Sequence, residues 1–351
     1  MRSFLFKMYI LILRRNDMNI TTKRLISFTC LIISSIGFLT MDSPDCQSAT
    51  FTKKEIKQVK RYQTQYKQIN KEKYSKNNFL NQNQVLPNYS ILQQDYMSSF
   101  LDGVNYYRSL YNLPYLKLNS ADTTNAQITA QVMASVNAPA DRNEHGLPYV
   151  TKPSDLNSET WNIAKKTSSS SNLDFTRYDA SGFDIVRDFF TDVHDLNGND
   201  TGHRSWLISP YVSVTGFGSY YSPINQVRYS VMPVLKPVKR TIYSKSPVYY
   251  PEKGVFPIEE CRTNWSVYML NRTVKGVPKI IVTDLDNQKK YKATNVHNYS
   301  RLGYGYFKTI IVYSKGKTKL IPGHQYRIKI SGIGSYKFKL FNEKVQRVYK
   351  D

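Results

Sequence analysis

Three of the five histidines, His145, His194 and His203, fall between residues 91 and 235. Glu144 precedes His145, and Asp192 lies shortly before His203. Imidazole nitrogen and carboxylate oxygen together suit a divalent metal, zinc first, and the same groups can move protons near neutral pH. Two imidazoles and one carboxylate would leave coordination positions open for water or a ligand. Spacing alone does not bring these side chains together. His145 and His203 read equally well as hydrogen-bonding pegs that pin loops to a sheet. His194 reads as exposed at a helix C-terminus, where the dipole favours a positive imidazole.

Other chemistries find little support. The serine run 168–171 has no Gly-x-Ser-x-Gly elbow around it, and no Walker-type phosphate loop occurs. Cys261 is far in sequence from His145 and His203 and reads as a small packing residue. Asp195-x-Asn197-x-Asn199 resembles the start of a calcium loop. It lacks the glycine at the sixth position and the glutamate at the twelfth, so it reads as a polar turn.

The elements that must position His145, Asp192 and His203 show as helical periodicity. Met97, Leu101, Val104, Tyr107 and Tyr111 share one face of a helix that ends before Pro114. Ser120 can cap a second helix with Ile128, Val132 and Val136 on its buried side. The stretch from Thr151 to Asn172 reads as polar. Val186, Phe189, Phe190 and Val193 mark a third helix, and Asp192 closes it. Gly202-His203-Arg204 reads as a turn, followed by strands over Val212–Tyr220 and Val227–Val234, the first containing Gly216 and Gly218.

The net charge of +23 on 351 residues is unevenly placed: net −4 over 91–235 and +17 over 236–351. Such breaks mark domain edges. Residues 1–49 read as a signal peptide or N-terminal anchor. Lys23-Arg24 precedes the uncharged run Leu25–Met41, with small residues at the exit, and Met18 is an alternative start. Residues 50–90 read as a basic helical arm and linker. Ile56, Val59, Tyr62, Tyr66 and Ile69 form a helical stripe, read as a solvated spacer or an amphipathic face for an anionic surface. Residues 236–351 read as a basic all-β sandwich domain. There Arg327, Lys329, Lys337 and Lys339 alternate with apolar residues, giving one core face and one cationic face.

The order of features over about 92–235 resembles the CAP superfamily, which includes cysteine-rich secretory proteins, venom antigen 5 and plant pathogenesis-related proteins. The similarity is closest to its bacterial secreted branch. The features are Asn105-Tyr106-Tyr107-Arg108, an Ala- and Gln-rich second helix, a histidine just after it, a helix ending in an acid, Gly-His-Arg-x-Trp, and a Gly-x-Gly strand. The resemblance implies an α–β–α sandwich at 91–235; with residues 236–351, where Pro322-Gly323 before Tyr326-x-Ile328-x-Ile330 looks like an Ig-like module turn, the class is α+β, a CAP-type sandwich followed by an Ig-like β-sandwich. The resemblance also implies two histidines and two acids around one cleft. His145 and His203 match the histidines and Asp192 one acid. Trp161 stands where the family has the Glu of Gly-Glu-Asn, and Glu159, two residues away, is the candidate substitute.

These readings describe a secreted or cell-surface protein of a Gram-positive type. Its cleft would hold a small ligand or divalent metal through His145, His203 and Asp192. Its basic domain would attach to an anionic cell-wall polymer, acidic glycan or anionic lipid rather than nucleic acid. The alternatives are a metal-dependent extracellular hydrolase of peptide, ester or glycan, and a non-catalytic surface scaffold.

Overall fold

The computed structural model describes residues 51–193, 200–234 and 247–344. His194, the Asp195–Asn199 turn, and the proposed signal segment with its two cysteines lie outside the described residues.

A three-stranded antiparallel sheet in the order β2-β5-β4 centres the first half: β2 (Ser171–Thr176), β4 (Gly218–Ser222) and β5 (Val227–Pro233). Its strands alternate between two cores. Leu173, Val227, Tyr229 and Val231 face α3 (Ser120–Ser135) and α4 (Ser158–Ser168), where Ala126, Ala130, Met133, Trp161 and Ala164 close one layer. Met232 and Val234 face the other core, built by α2 (Gln94–Leu110) and α5 (Gly182–Thr191). Phe217 joins it, stacked on Phe100 at 3.8 Å. An α–β–α sandwich results.

The Gly-x-Gly signature has a steric cause. A Cβ at Gly216 would lie 2.3 Å from the Asp122 backbone, and one at Gly218 would lie 2.1 Å from Ala126. Helix α3 therefore lies directly on this strand, and only glycine permits the approach. A short parallel pair, β1 (Lys117–Leu118) with β3 (Val214–Thr215), forms a separate two-stranded sheet.

Two elements differ from the sequence reading. The polar stretch 151–172 contains α4, whose N-cap Asn157 accepts from the Thr160 N–H at 2.8 Å. The stretch is polar because much of α4 faces water, and only Thr160, Trp161, Ala164, Thr167 and Ser168 are buried. The Gly-His-Arg turn is the short helix α6 (Gly202–Leu207).

The second half is a two-sheet sandwich. One sheet runs β10-β9-β13-β14-β7, from β7 (Gly254–Pro257), β9 (Ile280–Asp284), β10 (Lys290–Lys292), β13 (Gln325–Ile330) and β14 (Gly334–Phe341). The other runs β11-β12-β8-β6, from β6 (Val248–Tyr250), β8 (Trp265–Met269), β11 (Thr294–Asn298) and β12 (Thr309–Ser314). Trp265 packs on Phe338 across the sheets at 5.4 Å, and Tyr249 stacks on Tyr336 at 3.8 Å. Cys261 is buried, and burial pushes its thiol well above the usual range, so it packs rather than reacts.

The basic arm is neither a solvated spacer nor a free surface helix. Helix α1 (Lys53–Gln68) starts with a Thr52–Glu55 capping box and buries Ile56, Val59, Tyr62 and Tyr66. Tyr62 stacks on Phe341 of β14, and Tyr66 packs on Tyr106 of α2. The stripe thus belongs to the core because it bridges both halves. Beyond it, Phe79 is fully buried and stacks on Tyr96 at 4.9 Å, so the start of the stretch read as linker is packed, while Asn81, Val85 and Pro87 are exposed.

The outer face of the five-stranded sheet exposes Lys290, Lys292, Arg327, Lys329 and Lys337. Lys339 is the exception: it is buried and pairs with Glu55 of α1 at 2.9 Å.

Candidate functional site

His203 is placed by the residues on either side of it. Asp192 ends α5 in a left-handed conformation (φ 55°), which aspartate tolerates better than most residues and which turns the chain sharply at the helix end. Its Oδ2 accepts the Arg204 backbone N–H at 3.1 Å, and its Oδ1 lies 2.8 Å from His203 Nδ1. Arg204, fully buried, donates to the carbonyls of Phe190, Thr191 and Asn264 and lies 3.6 Å over the Tyr250 ring. The Gly-His-Arg motif therefore ties α5, α6 and the β-sandwich together. Behind it, the buried Arg108 donates to the carbonyls of Pro114, Leu207, Ser209 and Val212, fixing the loop that leaves α6.

His145 follows α3 on a loop, with Nδ1 2.9 Å from the Ser168 carbonyl of α4. A carbonyl can only accept, so Nδ1 carries the proton. A carboxylate at His203 Nδ1 selects the same tautomer. In their neutral forms both rings therefore present Nε2 as the lone-pair nitrogen. Fixing the tautomer through Nδ1 is the arrangement that orients imidazoles for a metal.

His145 and His203 line two adjoining cavities. The first, about 350 Å³, includes Glu144, Leu173, Asp174, Phe175, Tyr178, Asp188 and Phe189. The second, about 270 Å³, includes Asn172, Asp200, Trp206 and, from the β-sandwich half, Leu302 and Tyr304. Gly202 leaves room for that Tyr304 ring, which a Cβ would approach to 3.1 Å.

Of the residues expected from sequence, the two imidazoles share a hollow. Asp192 stands behind His203, lining a separate depression with Arg262 and Lys315, so it orients the ring rather than facing the cavity. Glu159 is exposed on the first turn of α4 and lines neither cavity, while Trp161 is packed into the core.

Of the acids that do face the cavity, Asp174 and Asp188 were missed. Asp174 sits on β2 and Asp188 on α5, where its Oδ2 accepts from the Tyr178 hydroxyl. Burial first, and then the Asp188 charge, push the Asp174 carboxyl up to about 8, against the opposing pull of His203 and Arg228. Glu144, 1% exposed, is also raised by burial. One signal was available: Asp174 is an ionisable residue amid Leu173 and Phe175 in a strand, and such groups gather at sites.

A second group of metal-type ligands occurs in the β-sandwich. One ligand atom from each of Asp284, Asp286 and His324 lies within 4.8 Å of the others. His324 Nδ1 is 2.9 Å from Asp284 Oδ2, and Asp286 Oδ2 accepts the Gln325 N–H at 2.6 Å. These bonds fasten the β9–β10 turn to β13.

Residues 101–233 match the family model of the cysteine-rich secretory protein family, CAP. The match covers His145, Asp192 and His203 and most of the helices and sheet around them. No curated protein matches the chain.

Proposed function

We propose that this is an extracellular binding protein of the bacterial secreted type. In this reading the CAP cleft holds a ligand or a divalent metal, and an Ig-like β-module carries it on an anionic surface. The observation that carries the reading is the matched pair of imidazoles. Each has Nδ1 committed to an acceptor, and both line the same cavities. Zinc would suit the pair, with Nε2 of His145 and His203 as two of its ligands and Asp192 as the orienting partner, although among the described residues no acid completes a three-residue ligand group with them. A metal bound there would supply a Lewis-acidic centre for ligand groups or water. The export reading is supported by the CAP domain, whose family is named for secreted members. No helix among the described residues is long and apolar enough to cross a membrane.

The attachment reading rests on the sheet register. Arg327 lies directly opposite Lys337, an arrangement that weakens a sheet. None of the five exposed cations forms an ion pair with a described residue, so a polyanion such as a wall polymer, acidic glycan or anionic lipid would relieve the repulsion.

Metal analysis of untagged protein after exposure to zinc tests the cleft. His145→Ala and His203→Ala should each lose the bound ion, and His324→Ala should keep it. Retention in the first two would remove the metal reading. A second reading, a metal-dependent hydrolase, is favoured by Asp174 and Asp188, which place carboxylates beside the imidazoles as general-base candidates. Turnover of peptide, ester or glycan libraries above that of the doubly substituted protein would select it, and none would leave binding.

A further inference from the structure

The first cavity contains groups that the imidazole pair does not use. Both carboxyl oxygens of Glu144, and Oδ1 of Asp174, are closed to water and accept no hydrogen bond. Asp188 lies on the same wall. Arg228 does not partner Asp174: it donates to the carbonyls of Ala180 and Tyr74. Between these acids the wall is apolar, with Leu173, Phe175 and Phe189. The cations that also line it, Arg142 and Arg177, are exposed, and the Arg142 charge offsets part of the effect of burial on Glu144.

Buried acceptors without donors call for a ligand that brings donors and positive charge. Apolar walls between them call for a stem that gains nothing from water. Two exposed arginines would repel a polycation, so the charge should be single, on an otherwise neutral or anionic ligand. An ammonium has three N–H donors and no acceptor, so it matches these carboxyls in their ionised form, and its charge favours that form.

We propose that this cavity is a subsite for a primary ammonium on an aliphatic stem, with Asp174 and Asp188 accepting its N–H groups and Phe175 and Phe189 flanking the stem. The assignment rests on the cleft being the ligand site, and it deepens that reading by naming the ligand class: a peptide or peptide-bearing polymer with a lysine-type side chain or a free amino terminus. The cleft is thereby selective for cationic groups, whereas the distant sheet face is selective for anions.

Calorimetric titration of the full chain tests it with four peptide probes: acetyl-Gly-Lys-Gly-amide, its ε-acetylated counterpart, Gly-Leu-Gly-amide, and the α-acetylated form of the last. Binding of the first or third, with at least a tenfold loss on acetylation of the same peptide, is expected. Which one binds identifies the source of the ammonium. Asp174→Asn and Asp188→Asn should each weaken that binding about tenfold while zinc affinity stays unchanged. Equal binding of the acetylated peptides, binding of none, or unchanged affinity in Asp174→Asn would overturn the assignment. Loss of zinc binding in Asp174→Asn would also overturn it, because the carboxylate would then be a metal ligand. If wild-type protein binds the ammonium peptide but no zinc, this assignment stands and only the metal reading fails.

Discussion

At the scale of single residues, the site depends on what holds the imidazoles. Asp192 touches both His203 Nδ1 and the Arg204 N–H, so one carboxylate sets the ring's tautomer and its position. Asp192→Asn keeps a single acceptor and the steric fit. Zinc affinity should fall about 10–100-fold, the usual effect of losing an orienting partner, with a cooperative melt retained. Unchanged affinity by calorimetry would show that the orientation has another source. Arg204 carries a different burden. Arg204→Ala would orphan the carbonyls of Phe190, Thr191 and Asn264 at the junction of the two halves. Unfolding free energy in urea should drop by about 3 kcal/mol or more, since each unmet buried acceptor costs about 1–3 kcal/mol. A loss below about 1 kcal/mol would mean water replaces the guanidinium.

At the scale of elements, close packing of α3 on the sheet brings the loop carrying His145 toward the α6 end of the domain. Gly218→Ala puts a Cβ 2.1 Å from the Ala126 backbone, and a backbone cannot yield as a side chain does. The expected cost is about 2–3 kcal/mol, the upper part of the range for overpacking, read as a lowered urea midpoint. An unchanged midpoint would show that α3 is free to shift. This level also shows what the sequence disclosed. The helices around Val104, Val132 and Phe189 were legible because their apolar residues recur at helical spacing over several turns. Alternation made β13 and its cationic face legible for the same reason. Helix α4 was hidden by its small buried face, and α6 was too short to show a period. The histidines were found by their motif. Asp174 and Asp188 were not, because only β2 pairing with β5 and α5 packing on β2 bring them to one wall. Lys339 followed the strand pattern faithfully, and its burial came from α1, remote in sequence.

For the whole molecule, α1 and the β-sandwich close around a buried acidic pair. Glu260 and Glu343 are almost fully buried, and Arg187 reaches both, at 3.0 and 3.6 Å. The Tyr107 hydroxyl donates to Glu260 and the Tyr106 hydroxyl to Glu343. Tyr66, Lys71 and Glu259 also face the pair. Burial raises both carboxyls, more than Arg187 lowers them. The folded protein therefore holds protons that the unfolded chain releases above its ordinary carboxylate range. Stability from this cluster is complete on the acid side of that range and declines as pH rises toward neutrality. Glu343→Gln should make that decline shallower, by up to about 1.4 kcal/mol per pH unit, in urea unfolding from pH 5 to 8. A slope as steep as wild type would place the retained proton elsewhere. On the exposed part of the five-stranded sheet, replacing Arg327, Lys329 and Lys337 together with Gln should weaken binding to anionic lipid vesicles roughly 100-fold at low salt, at about 1 kcal/mol per cation. Equal binding by the triple variant would remove the attachment face. The central claim is that His145 and His203 act on one bound species, and X-ray absorption at the zinc edge of the loaded protein tests it most directly. Two imidazole nitrogens at about 2.0–2.1 Å are expected in the wild type, and no bound zinc in either single alanine variant. A zinc shell without imidazole, or one unchanged when both histidines are replaced, would contradict the account.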